Sequence, residues 1–216
     1  MKKKTNVKSR IAFILVENEP EMPLDFLDYL TKFVTLSAEE RTMLANSMQV
    51  ITCFPHQVLT NVGELEQHIY FVQKGMVRKF FYHEQNEVTV YLADEGQMIS
   101  ASVSFLTGVV SEFVIETIEP CTLWFVTRSA LENLYSYNVN FERLGLMITL
   151  DSLLLKEKID ILRMTASPQE RFLFVYKEMP DLLARAPQKY IASMLNMKPE
   201  TFSRFKKKLM EEMKNE

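Results

Sequence analysis

The chain has 216 residues, which is long enough for one large domain or two modest ones. Its 47% hydrophobic and 25% charged residues are typical of a globular protein and exclude a disordered or collagen-like chain. The formal net charge of −3 argues against a basic nucleic-acid coat protein but leaves room for a local basic site. The two cysteines, Cys53 and Cys121, exclude a disulfide framework, a four-cysteine zinc site and a cysteine-ligated iron–sulfur cluster.

A basic segment opens the chain and precedes a short apolar run, Ile11 to Val16. A secretory signal needs about 7–15 apolar residues and a membrane span needs about 20, so a run of six residues fits neither. We therefore expect a basic N-terminal tail over residues 1–22 and a cytoplasmic protein, in agreement with the low cysteine content.

The charges are distributed unevenly along the chain. Residues 188–216 carry seven basic and four acidic side chains, a net charge of +3. The other 187 residues carry 18 basic and 24 acidic side chains, a net charge of −6. A basic end on an acidic body predicts two modules with different partners.

The first half of the sequence predicts two helices followed by many short strands. Apolar spacing indicates the helices within residues 21–47, and Ser37 with Glu40 has the signature of a capping box at the second helix start. Within residues 50–125, short runs rich in β-branched and aromatic residues alternate with turn signals, which is typical of an antiparallel sandwich or barrel. The predicted strands are Val50–Phe54, Ile69–Lys74, Met76–His83, Val88–Leu92, Phe113–Ile118 and Thr122–Thr127.

The second half of the sequence is helical in pattern. Ser129–Tyr137 is a short predicted helix, and Phe141–Met164 is a long one whose apolar residues cover more than one face. Two interpretations of the long helix stay open: a central helix buried on all sides within one domain, or a dimerisation helix. The segment Ser167–Glu170, with Ser as N-cap, Pro at N1 and Glu at N3, predicts the next helix start.

The last two predicted helices have the pattern of a helix-turn-helix. Ala192 supplies the small residue where the two helices touch. Four positions later, Asn196 tolerates the left-handed conformation that the turn requires, and Pro199 suits the first position of the second helix. The apolar residues expected at the turn and on the inner face are Met197, Phe202 and Phe205.

The outward-facing residues of the second helix suit the major groove of DNA. Arg204 can bridge guanine O6 and N7, Glu200 can accept from cytosine N4, and hydroxyl and ammonium groups can hold phosphates. The candidate DNA-binding residues are Glu200, Thr201, Ser203, Arg204, Lys207 and Lys208. For the lysines alone, a solvated helix end favoured by the helix dipole is the alternative interpretation.

This combination of elements resembles the Crp/Fnr family of bacterial transcription factors. The segments Gly63–Glu64, Ile69–Val72 and Lys74–Arg78 are similar to the opening of that family's β-roll, and Ser167–Lys208 is the most specific stretch. The resemblance implies an α+β fold: an N-terminal antiparallel β-roll (a double-stranded β-helix or jelly roll), a long dimerisation helix and a C-terminal helix-turn-helix domain lacking a full wing. The implied divisions are a tail at 1–22, a sensor domain at 23–140, a dimerisation helix at 141–165 and a DNA-binding domain at 166–216.

The same resemblance implies a function. A member of the family is a homodimeric regulator, not an enzyme, and binds a pseudo-palindromic operator in double-stranded DNA. Glu200, Ser203 and Arg204 match base-reading positions, and Thr201 matches a phosphate contact. The expected partners are DNA and a second copy of the chain through residues 141–165, with RNA polymerase as a further candidate; no membrane and no cofactor are expected.

Three features depart from the family pattern. The members that bind cyclic nucleotides hold the phosphate with a Gly-Glu pair and a later Arg; here Gly96 is followed by Ala101 in place of the acid and Ser111 in place of the arginine, and Glu112 adds a negative charge. We therefore expect no cyclic-AMP binding by the usual chemistry, and the effector is unknown. The two cysteines cannot form the cluster of the oxygen-sensing branch. The sequence ends soon after Lys206, so we expect the family's β-hairpin wing to be missing or reduced.

Two other functions fit parts of the pattern. A cupin-like metalloenzyme would suit a β-roll, but it needs clustered ligands, and His56, His68 and His83 are dispersed. A regulator with a vestigial DNA-binding domain, acting through protein partners, would suit a missing wing. The sequence leaves open whether Cys53 or Cys121 is redox-active, because thiol reactivity depends on pKa and exposure.

Overall fold

The structure, a computed structural model, describes Ile14–Leu15 and residues 22–212. The predicted basic tail therefore lies outside the described residues, except for Ile14–Leu15, which form strand β1, and Met22. None of the helices in the described part is long and apolar enough to cross a membrane.

Two short helices precede most of the strands: α1 spans Leu24–Thr31 and α2 spans Ala38–Ser47. The predicted capping box of α2 is confirmed, because Ser37 Oγ accepts from the Glu40 amide at 3.2 Å and the Glu40 carboxylate accepts from the Ser37 amide at 2.7 Å. Glu40 Oε1 also accepts from the side-chain amides of Asn138 and Asn140, at 2.7 and 2.8 Å. One carboxylate thus caps α2 and ties it to the chain near residue 140.

The described residues contain eight strands after β1, and all pairings are antiparallel. Their bounds are β2 (Met48–Cys53), β3 (Val58–Thr60), β4 (His68–Lys74), β5 (Val77–His83), β6 (Asn86–Ala93), β7 (Met98–Ile99), β8 (Val114–Thr117) and β9 (Cys121–Thr127). One sheet has the order β1-β2-β9-β4-β7, and the other has the order β3-β8-β5-β6. We call the two sheets together the roll.

Every predicted strand is present, with ends that differ by at most two residues. The sequence missed β1, β3, β7, the short helix α3 (Ser102–Thr107) and a second short helix at Pro180–Arg185. Side chains of both sheets meet in one core, which makes the roll a sandwich and not a single closed barrel. The core residues from the two sheets include Ile51, Leu59, Tyr70, Val77, Ile115 and Leu123.

Helices form the rest of the chain, and the predicted α+β fold is confirmed. Their bounds are α4 (Arg128–Tyr137), α5 (Val139–Thr165), α6 (Pro168–Glu178), α7 (Pro180–Arg185), α8 (Gln188–Met194) and α9 (Pro199–Glu212). The capping box predicted at Ser167 is present at the start of α6. Helix α9 continues to the last described residue, and no strand follows it within the described part.

The long helix α5 is partly buried on one side and exposed on the other. Phe141, Leu144 and Ile159 are buried against the rest of the chain. The other side exposes apolar side chains, so α5 is not buried on all sides in the single chain. The exposed residues are Leu146, Leu150, Leu153, Leu154, Ile161 and Met164. We call this set the free face of α5.

The C-terminal helices pack directly on the β5–β6 hairpin of the roll. Met76 and Leu92, both at most 1% exposed, belong to the same apolar core as Phe172, Leu182 and Ile191 of the helices. The amide of Thr89 in β6 donates to Ser193 Oγ in α8 at 2.9 Å. The roll and the C-terminal helices therefore share one hydrophobic core.

A buried arginine lies at the centre of this contact. The guanidinium of Arg78 in β5 is 3.8 Å from the ring centroids of both Phe80 and Tyr190, and Tyr190 belongs to α8. Its charge is balanced by the carboxylates of Glu87 at 2.9 Å and Glu116 at 3.4 Å. Only 1% of the Arg78 side chain is exposed, so the charge depends on these partners and on the two rings.

Two further arginines hold backbone carbonyls across the helix junctions. Arg163 of α5 donates to the carbonyl of Val90 in β6 at 3.0 Å and to that of Met194 in α8 at 2.5 Å. Arg171 of α6 donates to the carbonyls of Leu195 and Asn196, at 2.8 and 2.9 Å. The carbonyls of Met194, Leu195 and Asn196 lie at the end of α8, where helix geometry leaves carbonyls without helical partners.

The glycine between β4 and β5 occupies a position that a side chain cannot fill. Gly75 has φ +98°, and a Cβ there would lie 2.5 Å from the carbonyl oxygen of Pro120 and 2.6 Å from Cys121 Sγ. Gly63 has a similar φ of +84°, but a Cβ there would meet nothing within 4 Å. A comparison of substitutions at Gly63 and Gly75 therefore separates the effect of backbone strain from that of steric overlap.

We expect Gly63→Ala to lower the free energy of unfolding by about 1–2 kcal/mol, the cost of a left-handed alanine. Gly75→Ala should cost about 1–3 kcal/mol more, because overlap with packed backbone is added to the same strain. Urea unfolding followed by circular dichroism measures both. Equal losses for the two variants would contradict the contact at Pro120.

An exposed ionic contact also joins the C-terminal helices to the roll. Arg185 of α7 pairs with Glu95 at 2.6 Å and with Glu119. Burial alone would raise the pKa of Glu95, but hydrogen bonds from Arg185 and from the Gly75 amide lower that pKa to about 2. A carboxyl whose pKa is lower in the folded than in the unfolded chain stabilises the fold above its unfolded pKa and loses this effect in acid.

We expect Glu95→Gln to lower the free energy of unfolding at pH 7 by no more than about 1 kcal/mol, because about a third of each side chain of the Arg185–Glu95 pair is exposed. The difference from the unmodified protein should shrink as the pH falls from the unfolded pKa near 4.5 towards 2. Urea titrations at several pH values test this, with the exposed Glu132→Gln as the control. A difference that is constant over this range would contradict the assignment.

Candidate functional site

Helix α9 has one apolar face and one polar face. Phe202 is fully buried, with its ring centroid 5.2 Å from that of Phe172 in α6, and the Phe205 ring is 5.9 Å from the same residue. These contacts fix the rotation of α9 about its axis. The opposite face is therefore directed to solvent.

The candidate DNA-binding residues lie on this solvent face. Five of them are exposed and Thr201 is half-buried; the five are Glu200, Ser203, Arg204, Lys207 and Lys208. The ammonium groups of Lys207 and Lys208 are 3.8 and 3.7 Å from Glu211 and Glu212, one helical turn later. Among the described residues, no carboxylate lies within 4 Å of the Arg204 guanidinium, which is 5.6 Å from the Phe205 ring centroid.

The three consecutive lysines of α9 do not share one environment. Lys206 points back to the protein and donates to the carbonyl of Leu183 at 3.1 Å, near the end of α7. Lys207 and Lys208 are exposed. Lys206 therefore anchors α9 to α7, and the two following lysines remain at the surface.

The turn between α8 and α9 has the predicted geometry. Asn196 has φ +52°, the left-handed conformation expected at this position. Ala192 is fully buried, and its carbonyl accepts from the Met197 amide at 2.8 Å. Arg171, which the sequence analysis did not single out, holds the carbonyls of Leu195 and Asn196. These two partners are 24 and 25 positions from Arg171 in the chain, so no local sequence pattern indicates the contact.

A second candidate site is a cavity of about 420 Å³ between the roll and α5. This volume lies within the range of small-molecule sites. Its wall on α5 includes Asp151, Leu155, Lys156, Ile159, Asp160 and Arg163. Its wall on the roll includes Lys79, Tyr91, Met98, Ile99, Ser100 and Phe113.

The predicted phosphate-site residues are not assembled in this cavity. Gly96 lines it, with φ +82°, but Ala101, Ser111 and Glu112 do not. Ser111 is buried, and its hydroxyl donates to the carbonyl of Phe113 at 2.8 Å. Glu112 is exposed.

A buried carboxylate that no sequence pattern indicated lies against the first residues of α3. Glu66 is 1% exposed and accepts from the Ala101 amide at 3.3 Å, the Thr60 hydroxyl at 2.8 Å and the His68 amide at 3.0 Å. Burial raises the pKa of Glu66, and these hydrogen bonds oppose the rise. The amide at residue 101 is therefore already satisfied from inside the protein. Two of the three partners of the Glu66 carboxylate, Thr60 and Ala101, are 6 and 35 positions away in the chain, so no sequence spacing indicated this contact.

The two cysteines are buried neighbours in the roll. Cys53 and Cys121 are paired in register between β2 and β9, and both are free thiols. Burial raises the pKa of Cys53 to about 11 and that of Cys121 to about 12. At neutral pH both are thiols and not thiolates, and a thiol is the unreactive form.

The histidines are dispersed in space as well as in sequence. His56 is an exposed loop residue with φ +60°, His68 lies in β4 and His83 ends β5. Within the part of the chain that the structure describes, no group of three His, Cys, Asp or Glu side chains is placed to hold a metal ion.

Comparison with known proteins identifies the architecture. The family model of the cyclic nucleotide-binding domain matches residues 52–138. A comparison with curated proteins finds no match. FixK2 from Bradyrhizobium japonicum superposes with a TM-score of 0.67 and 20% identity, over 76% of this chain and 85% of FixK2.

Two other solved structures show the same fold. CLP of Xanthomonas campestris, described as a c-di-GMP-responsive global regulator, gives a TM-score of 0.61 at 14% identity, over 82% of this chain and 93% of its own. A protein from Eubacterium rectale assigned to the Crp/Fnr family of transcriptional regulators gives 0.62 at 14% identity, over 82% and 85%. The resemblance seen in the sequence is confirmed: residues 52–138 match the cyclic nucleotide-binding domain, in a chain that has the fold of Crp/Fnr regulators.

Proposed function

We propose that this protein is a homodimeric, cytoplasmic transcriptional regulator of the Crp/Fnr type that binds a pseudo-palindromic operator in DNA. One observation carries the proposal: α9 is fixed by a buried apolar face and exposes a polar face of the composition that reads base edges. The tight turn at Asn196 and the contacts of Arg171 support it, because they hold α9 in one orientation to α8.

The chemistry of the exposed face assigns a role to each residue. Arg204, free of a carboxylate partner among the described residues, bridges guanine O6 and N7, and Glu200 accepts from cytosine N4. Ser203 contacts a base edge, and Thr201 donates its hydroxyl to a phosphate. Lys207 and Lys208 add phosphate contacts, for which they exchange their weak surface pairs with Glu211 and Glu212.

The free face of α5 is the proposed dimer interface. Leu150, Leu154, Ile161 and Met164 follow one another at spacings of four, seven and three residues, which fits the seam of a two-stranded coiled coil with Glu157 at one seam position. Exposed apolar area of this extent on a single chain indicates a partner. A second copy of α5 covers it and places two α9 helices on one operator.

Cyclic AMP is not the effector by the family's usual chemistry. Ala101 and Ser111 cannot supply the acid and the guanidinium, and the Ser111 hydroxyl is turned to its own backbone. The carboxylate of Glu66, inside the roll, already accepts the hydrogen bond of the Ala101 amide. A phosphate at this position would compete with a buried carboxylate and would lack the guanidinium that Ser111 replaces.

The DNA-binding role predicts that Arg204→Ala weakens binding to the preferred operator by about 1–3 kcal/mol and relaxes base preference at one position in each half-site. The operator is first selected from a random DNA pool, and affinities are then measured by fluorescence anisotropy at low and at physiological salt. Arg41→Ala, at an exposed arginine of α2, is the control and should leave affinity unchanged.

No binding at low salt, or affinity that Arg204→Ala leaves unchanged, would contradict DNA recognition by α9. Such a result would favour a regulator that acts through protein partners.

The dimer interface predicts that Leu154→Glu converts the protein to a monomer, because two carboxylates would face each other in an apolar seam. Leu154 is 64% exposed in the single chain, so the substitution should leave the monomer folded. Sedimentation velocity measures the change, with Thr42→Glu at an exposed position of α2 as the control. A dimer that persists in Leu154→Glu would exclude this face.

A further inference from the structure

The cavity between the roll and α5 contains a cation that the proposed DNA-binding function does not use. Lys79 of β5 lines the cavity, donates to the carbonyl of Ser100 at 2.9 Å and lies 4.6 Å from the centroid of the Phe113 ring. Among the described residues, no carboxylate lies within 4 Å of its ammonium group. An ammonium group has three N–H donors, so two remain for a ligand.

The other charged groups of the cavity have partners within the protein. Asp160 pairs with both Lys156 and Arg163, and Arg163 also donates to the two carbonyls described above. Asp151 accepts from the hydroxyl of Tyr29 at 3.4 Å. The wall has three cations against two carboxylates, and among these cations Lys79 is the one that has no carboxylate within 4 Å in the described part of the chain.

Burial makes Lys79 sensitive to an anion. Desolvation lowers the pKa of Lys79 to about 8; Glu66 opposes the change and Lys156 adds to it. The amine is therefore still mainly protonated at neutral pH, but it has lost much of its hydration. The interaction energy between an ammonium group and an anion is larger when the ammonium group is partly desolvated than when it is exposed to water.

The rest of the wall suits an apolar ligand body. The polar side chains nearest to Lys79 are engaged within the protein: Ser100 Oγ donates to the carbonyl of His68, Ser102 Oγ is 3.4 Å from the carbonyl of Ser100, and Tyr91 Oη donates to Gln97. They offer little to a ribose or a base. The remaining surface is apolar or aromatic, from Met98, Ile99, Phe113, Leu155 and Ile159.

We propose that this cavity binds a small organic acid with a single carboxylate and an apolar body, and that Lys79 holds the carboxylate. One unpaired cation matches one negative charge, which distinguishes this class from phosphate monoesters and dinucleotides. The proposal deepens the proposed function by assigning an effector class to the sensor domain, but binding itself does not require DNA. Failure of DNA binding and failure of ligand binding are therefore separate results.

The experiment compares matched acids and amides by isothermal titration calorimetry on the full chain at pH 7. The probes are octanoate with octanamide, and 3-phenylpropanoate with 3-phenylpropanamide, which differ in charge but hardly in shape. At least one acid should bind at least tenfold more tightly than its amide. Lys79→Met should abolish that preference, and Lys74→Met, at an exposed lysine of β4, should retain it.

A second variant leaves Lys79 in place. Leu155→Trp fills the cavity from the α5 side and should abolish binding of both acid and amide. Thermal melting of each variant shows whether it is folded, and Leu155→Trp keeps the test valid if Lys79→Met unfolds.

Three outcomes would overturn the proposal: no binding of either acid to the unmodified protein, an acid preference that survives Lys79→Met, or acid binding that survives Leu155→Trp. Cyclic AMP is included as a comparison probe. If it binds and Lys79→Met abolishes its binding, the site takes a cyclic phosphate and the assignment to carboxylates is wrong.

Discussion

The burial of Arg78 between two aromatic rings is the constraint on which the arrangement of the two halves depends. Its guanidinium is contacted by Phe80 of the roll and Tyr190 of α8, and Glu87 and Glu116 balance its charge. A charge with 1% of its side chain exposed cannot be rehydrated unless the helices leave the roll. The shared core around Met76 and Leu92 also holds the C-terminal helices against the roll. Together they fix where α8 lies, and α9 follows from α8.

The long helix α5 connects three regions that have different chemistry. One side closes the cavity, the opposite side exposes apolar residues, and its last turn reaches α8 through Arg163. The guanidinium of Arg163 lines the cavity and also holds a carbonyl at the end of α8. The group that lines the cavity therefore also supports the end of α8 and, through the carbonyl of Val90, strand β6.

The features that sequence predicted well are those set by neighbouring residues. The capping boxes at Ser37 and Ser167, the left-handed turn at Asn196 and the six main strands all follow from local patterns. Strand β7 has two residues and β3 has three, too few for a periodic signal. Glu66, Lys79 and Arg163 gain their significance only from partners that the fold brings from other segments. The cavity was therefore beyond sequence analysis, whereas the outward face of α9 was not.

The burial of Cys53 and Cys121 has a consequence for measuring motion in the roll. Because both thiols are buried in the core between the two sheets and have a raised pKa, a thiol reagent reaches them only when the roll opens locally around strands β2 and β9. If the strands re-close faster than the reagent reacts, the labelling rate is the intrinsic thiol rate multiplied by the equilibrium constant for opening. The unmodified chain thus carries two built-in reporters of the free energy of local opening at one end of the β2–β9 strand pair. Alkylation followed by mass spectrometry would measure this free energy separately at each cysteine, without an engineered cysteine.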